Sequence, residues 1–228
     1  MALPFPLAAL AAFALMSGDG GELADRLARA APQADPRVLQ LASQAVACAR
    51  IKDPASRPRT LSVIDYTRPS TQRRLWVFDL EPGKLLFEEW VAHGRNSGGD
   101  LAEHFSNETG SLMSSVGLFQ TGDAYRGHNG YSLRLRGLDA GFNDNAIGRA
   151  IVMHGADYVS EAIARDQGRL GRSLGCPAVR REVALPLIDA IRDGSLVFAY
   201  FPLADWLQHS PYLGGCGAAG SATAAAAP

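Results

Sequence analysis

Between Leu61 and Phe201 the chain is divided into seven short runs of β-branched and aromatic residues, set off by turns rich in glycine, proline and polar residues. They are LSVIDY (61–66), RLWVFDL (74–80), LLFEEWV (85–91), SVGLFQTG (115–122), YSLRLRG (131–137), AIVMHG (150–155) and SLVFAYF (195–201). Runs of this length and composition read as strands, and EPGK between the second and third closes a hairpin around Pro82 and Gly83. Strands that follow one another through turns, without regular alternation with helices, favour a mostly antiparallel β sandwich or barrel. Two helical stretches interrupt them, DYVSEAIARDQG and EVALPLIDAIRDG, the second carrying Leu185, Ile188 and Ile191 on one face with Gly194 as its terminator. The expected class is mostly β with short helices, an α+β fold.

Flanking segments complete the organisation. Residues 1–18 begin with a sixteen-residue apolar run, MALPFPLAALAAFALM, of signal-peptide length and too short to span a bilayer comfortably, although no Lys or Arg precedes it. Residues 19–57 read as a helical preface and linker: Asp35 and Pro36 form an N-cap and first-turn pair, and KDPASRPR is polar and proline-rich. The main domain is expected over 58–202, and 203–228 reads as a low-complexity tail. With a formal net charge of −1 and no basic run, nothing points to a nucleic-acid partner.

Three cysteines leave at least one unpaired within the chain, and Cys176 lies in GRLGRSLGCPAV (168–179), among glycine, serine and arginine. Three readings compete. Gly171 to Gly175 matches the G-x-S-x-G nucleophile elbow, but no buried strand precedes it and Pro177 follows the cysteine. A structural cysteine would sit among apolar neighbours, which this segment lacks. As a nucleophile, Cys176 needs a base, because a free thiol is only a few per cent ionised at neutral pH. His154, ending AIVMHG at a strand mouth, is the candidate, and backbone N–H groups around Gly175 and Cys176 would form the oxyanion hole. A zinc site using His154, Cys176 and one of His93, His104 or His128 lacks supporting ligand spacing. Cys48 and Cys216 are a candidate disulfide in an exported protein.

His154-Gly155 at a strand end, followed by Ser173-x-Gly175-Cys176, resembles the active-site signature of the murein L,D-transpeptidase catalytic-domain family, cysteine enzymes that cross-link bacterial peptidoglycan. The resemblance runs over residues 60–201, and HGADYV with GRLGRSLGCPA is similar to a proteobacterial branch. It implies a β sandwich or barrel of that family, an exported, periplasmic location, peptidoglycan stem peptides as partners, and no metal or cofactor. It also implies that Cys176 is the acyl-forming nucleophile, that His154 is its base, and that Ser173 and Gly175 shape the pocket and oxyanion hole. Substrate contacts are expected from Arg172, His93 and Gly155. The common pattern has an arginine or asparagine two residues after the cysteine, where this chain has Ala178; Arg172, Arg169 or Arg180 would have to replace it. Water as acceptor would instead make a carboxypeptidase or amidase, and loss of chemistry would leave a cell-wall binding module.

Overall fold

The computed structural model describes residues 20–214 and 216. The candidate signal segment and half of the expected tail lie outside them. Helix α1 covers 20–30, and α2 (Pro36–Lys52) starts where the sequence places it, with the Asp35 carboxylate accepting from the Arg37 N–H at 2.8 Å. The strands are β1 (Thr60–Asp65), β2 (Leu75–Asp79), β3 (Lys84–Glu89), β4 (Gly117–Gly127), β5 (Gly130–Gly137) and β6 (Val152–Ala156). After them come α3 (Glu161–Gln167), β7 (Ala178–Arg180), α4 (Arg181–Ile191), β8 (Leu196–Tyr200) and α5 (Ala204–His209).

All eight strands join one sheet in the order β3-β2-β1-β8-β4-β5-β6-β7. Every pairing is antiparallel except β1 with β8 and β6 with β7. The sheet curls until its two edges meet: beyond β3, the Ala92 N–H donates to the Ala178 carbonyl of β7 at 2.8 Å. Across this seam Arg180 grips the buried Glu89 through two bonds, 2.9 and 2.6 Å. The expected β barrel is therefore present, closed over a short stretch.

Both faces of the central strands are covered, which is why their sequences are continuously apolar. On one face Leu61, Val63, Trp76, Phe78 and Phe198 pack with Leu27, Leu39 and Val46 of α1 and α2. The alternate residues Ile64, Leu75, Val77 and Val197 point to the other side, against Leu187, Ile188 and Ile191 of α4. The helical preface thus builds one of the two cores.

Three expectations need correction. Leu185 is half exposed; the buried face of α4 is Ala184, Leu187, Ile188 and Ile191, one residue round the helix. Strand β4 continues past Gly122 to Gly127, with its register shifting between Thr121 and Ala124. The low-complexity reading also began too early. Past Phe201 the chain forms α5, whose Trp206 is fully buried and donates Nε1–H to Asp139 at 3.2 Å. Asp139 also accepts from the Leu118 N–H at 2.6 Å and from Ser210, and Cys216 is disulfide-bonded to Cys48. Trp206→Ala should cost about 3–5 kcal/mol in urea unfolding, the usual penalty for truncating a buried tryptophan; a loss below about 1 kcal/mol would show that α5 adds little to the core.

Candidate active site

The β6–β7 pairing places the site. His154 is in register with Ala178, so Cys176, two residues before Ala178, arrives beside Val152, two residues before His154. The Val152 N–H reaches the Cys176 Sγ at 3.5 Å, and Sγ lies 3.8 Å from the Ala150 carbonyl. His154 is buried, while Cys176 is partly exposed. His154 Nδ1 bonds the Gly155 carbonyl at 3.1 Å. A carbonyl can only accept, so this bond puts the proton on Nδ1 and leaves the Nε2 lone pair free. The orienting group is therefore a backbone carbonyl.

The turn that carries Cys176 is held from several sides. Ser173 Oγ donates to the Cys176 carbonyl at 2.6 Å and accepts from the Gly175 N–H at 3.1 Å. Ser173 therefore positions the turn, and its buried hydroxyl is unsuited to the elbow role. The same bonds engage the Gly175 N–H within the turn, although it was one of the groups expected to form an oxyanion hole. Gly175 is required for its backbone. Its φ is +125°, and a Cβ would lie 2.8 Å from the Met113 carbonyl oxygen.

Two positioning residues carried no sequence signal. Ser114 Oγ donates to the Gly175 carbonyl at 3.1 Å and accepts from the Gly94 N–H at 3.0 Å. Arg149 donates to the Ser106 and Met113 carbonyls, each at 2.6 Å, and to the Ser115 and Ser111 hydroxyls at 2.6 and 3.2 Å. Its guanidinium ties the 106–115 loop beneath the turn.

The three expected substrate contacts fare differently. His93 is 1% exposed. Its Nδ1 accepts from Arg74 at 2.8 Å, and burial beside that cation holds it neutral, with its pKa lowered to about 4. Its backbone carbonyl accepts from the Ser173 N–H at 2.9 Å, so it supports the turn that carries Cys176. Gly155 is also enclosed, and a Cβ there would lie 2.8 Å from Ala184 Cβ, so its small size admits α4. Arg172 is exposed, with Nη1 donating to the Gly98 and Arg95 carbonyls at 2.9 and 3.2 Å. Of the other cations considered, Arg180 is paired with Glu89, and Arg169 bonds the Leu170 carbonyl at 2.9 Å.

Burial raises the Cys176 pKa above the thiol's ordinary 9.0, with the Val152 N–H and the Arg149 charge opposing it. Burial likewise lowers His154 below 6.5, partly offset by the Gly155 carbonyl. At neutral pH the resting pair is a neutral thiol and a neutral imidazole.

The sequence matches the L,D-transpeptidase catalytic domain family over residues 30–200. This chain belongs to that family. Among solved structures, the L,D-transpeptidase from Mycobacterium smegmatis aligns at 12% identity and a TM-score of 0.40, covering 63% of this chain and 59% of that one. An L,D-transpeptidase from Mycobacterium tuberculosis aligns at 17% identity and a TM-score of 0.36, over 63% of this chain and 58% of that one. The protein from Stackebrandtia nassauensis aligns at 13% and 0.38, over 80% and 78%. The chain thus spans less than two thirds of the mycobacterial proteins it matches. No curated protein matches it.

Two outcomes are expected of this L,D-transpeptidase domain. The rate of Cys176 alkylation by a small neutral reagent should fall as pH drops through the His154 pKa, with a midpoint below 6.5, because protonation removes the Nε2 lone pair. A midpoint above 7 would contradict the neutral pair. Ser173→Ala should slow the same reaction by about tenfold, the equivalent of one lost hydrogen bond, and leave measurable activity; complete loss would mean that the hydroxyl does more than hold the turn.

Proposed function

We propose that this domain is an exported peptidoglycan L,D-transpeptidase working by acyl transfer through Cys176. The observation that carries the reading is a partly exposed thiol in the turn before β7, brought by the β6–β7 register to Val152 on the strand that also carries His154, whose Nδ1–H is fixed by a backbone carbonyl. Family membership adds the substrate class, and HGADYV with GRLGRSLGCPA supports the proteobacterial branch. The Cys48–Cys216 disulfide supports an oxidising compartment. No helix among the described residues is long and apolar enough to cross a membrane.

In the proposed reaction His154 Nε2 takes the thiol proton as Sγ attacks a stem-peptide carbonyl carbon next to an L-configured centre. The Cys176 N–H donates to the developing oxyanion. Collapse forms the thioester and expels the leaving amine, which takes the proton from His154. An acceptor amine then attacks the thioester carbonyl, giving its proton to His154, and the thiol is restored. A partly buried neutral thiol and a buried neutral imidazole suit this path, since charge develops only as the proton moves.

The donor's carboxylate needs a cation. Ala178 is fully buried in β7 and offers nothing, whereas Arg172 is exposed and keeps nitrogens beyond the Nη1 that staples the 95–98 loop. A guanidinium fork there suits a carboxylate. Arg172→Ala should lower turnover of a carboxylate-bearing muropeptide much more than it lowers alkylation of Cys176; equal effects would make Arg172 a loop staple alone.

Incubation with purified muropeptides and mass analysis of the products tests the reading. Wild-type protein should form cross-linked dimers, Cys176→Ala none, and His154→Ala about a hundredfold fewer per unit time. Trimmed monomers without dimers would assign water as acceptor, and unchanged muropeptides would assign a binding module.

A further inference from the structure

We propose that the cavity between α1, the end of α2, the 57–59 segment and the β2–β3 turn binds a phosphate-bearing ligand. It has a volume of about 580 Å³. Arg26, Arg50, Arg57 and Arg59 line it together with Asp79 and Glu81, an excess of two positive charges. It lies at the far end of the β2–β3 hairpin from Cys176. Arg74, just before β2, bonds His93, whose carbonyl accepts from the Ser173 N–H of the Cys176 turn, whereas Asp79 ends the strand at the cavity; five residues of strand separate Arg74 and Asp79 by roughly 15 Å.

The arginines converge from three separate segments, and the fold leaves them mostly without anionic partners. Among the described residues, Arg26 alone of the four makes an ion pair, a 3.9 Å contact with Glu22 on its own helix. Its Nε is buried and has no hydrogen-bond partner. The β2–β3 turn presses on this side chain, since a Cβ on Gly83 would lie 3.1 Å from Arg26 Cβ. Arg57 bonds the carbonyls of Pro54 and Ser56 in its own loop, and Asp79 accepts from the Glu81 N–H at 3.1 Å. Neither Asp79 nor Glu81 is ion-paired to the arginines around them.

The charge selects the ligand class. One carboxylate would neutralise half of the excess, whereas a phosphate monoester, close to a dianion at neutral pH, neutralises all of it. Its oxygens accept the paired N–H donors of guanidinium forks. The volume admits more than a bare ion, and a soluble phosphomonoester and a phosphomonoester lipid headgroup present the same chemistry.

Calorimetric titration of the full chain with inorganic phosphate, at ionic strength held constant with chloride, tests the site. One saturable site per chain is expected. Arg50→Gln/Arg59→Gln should weaken it at least tenfold, and Arg57→Gln alone, an exposed change that does not touch the core, should weaken it about threefold. Arg29→Gln, exposed on α1 and outside the cavity, should bind as the wild type does. In a second arm, sedimentation with phosphatidic acid and phosphatidylcholine vesicles identifies the headgroup as source if the wild type pellets and the double variant does not; phosphate binding without pelleting identifies a soluble ligand. Alkylation of Cys176 should be unchanged in every variant. Absence of both phosphate and vesicle binding, binding indifferent to the cavity substitutions, or equal weakening by Arg29→Gln would overturn the proposal.

Discussion

The site depends on a three-residue strand paired on both of its edges. Ala178 lies between His154 of β6 and Ala92 of the segment beyond β3, and its fully buried side chain packs with Ala92, Ala156 and Leu170. This pairing closes the barrel and at the same time fixes where the chain before β7 must turn. Because β6 and β7 run parallel, the turn brings Cys176 to the strand that carries His154. A larger residue at 178 would displace the side chains packed over it, and a polar one would be buried among apolar neighbours.

Rigidity is supplied by hydrogen bonds from loops distant in sequence. Ser173 closes the turn internally, while Ser114 and Arg149 fasten it and the 106–115 loop from below. Held this way, Cys176 stays partly exposed at the edge of the core, where burial disfavours its ionised form. The proposed reaction therefore starts from a neutral thiol and a neutral imidazole rather than from a preformed thiolate–imidazolium pair, and in it the proton passes to His154 as the thiol attacks.

Much of this was legible in the sequence, for identifiable reasons. Strands buried on both faces leave unbroken apolar runs, helix α2 announces itself through Asp35 and Pro36, and a cysteine among glycine, serine and arginine is poor core material. Strand β7 was invisible because three residues carry no period, and α5 because six residues with a single large apolar anchor, Trp206, resemble the glycine-rich segment that follows. Arg149 gave no signal since its partners are carbonyls and hydroxyls 34 to 43 residues away. His93 was misplaced for a related reason: the cation that encloses it, Arg74, reads in sequence as an ordinary surface residue.

The central claim is that Cys176 carries the acyl group. Intact-mass measurement after rapid quenching with a stem tetrapeptide donor, without acceptor, addresses it directly, followed by mapping of the modified peptide. The account predicts one added acyl fragment on the peptide containing Cys176, labile to hydroxylamine as a thioester is, and none in Cys176→Ala. An acyl group mapped to Ser173, or one that persists in Cys176→Ala, would contradict it.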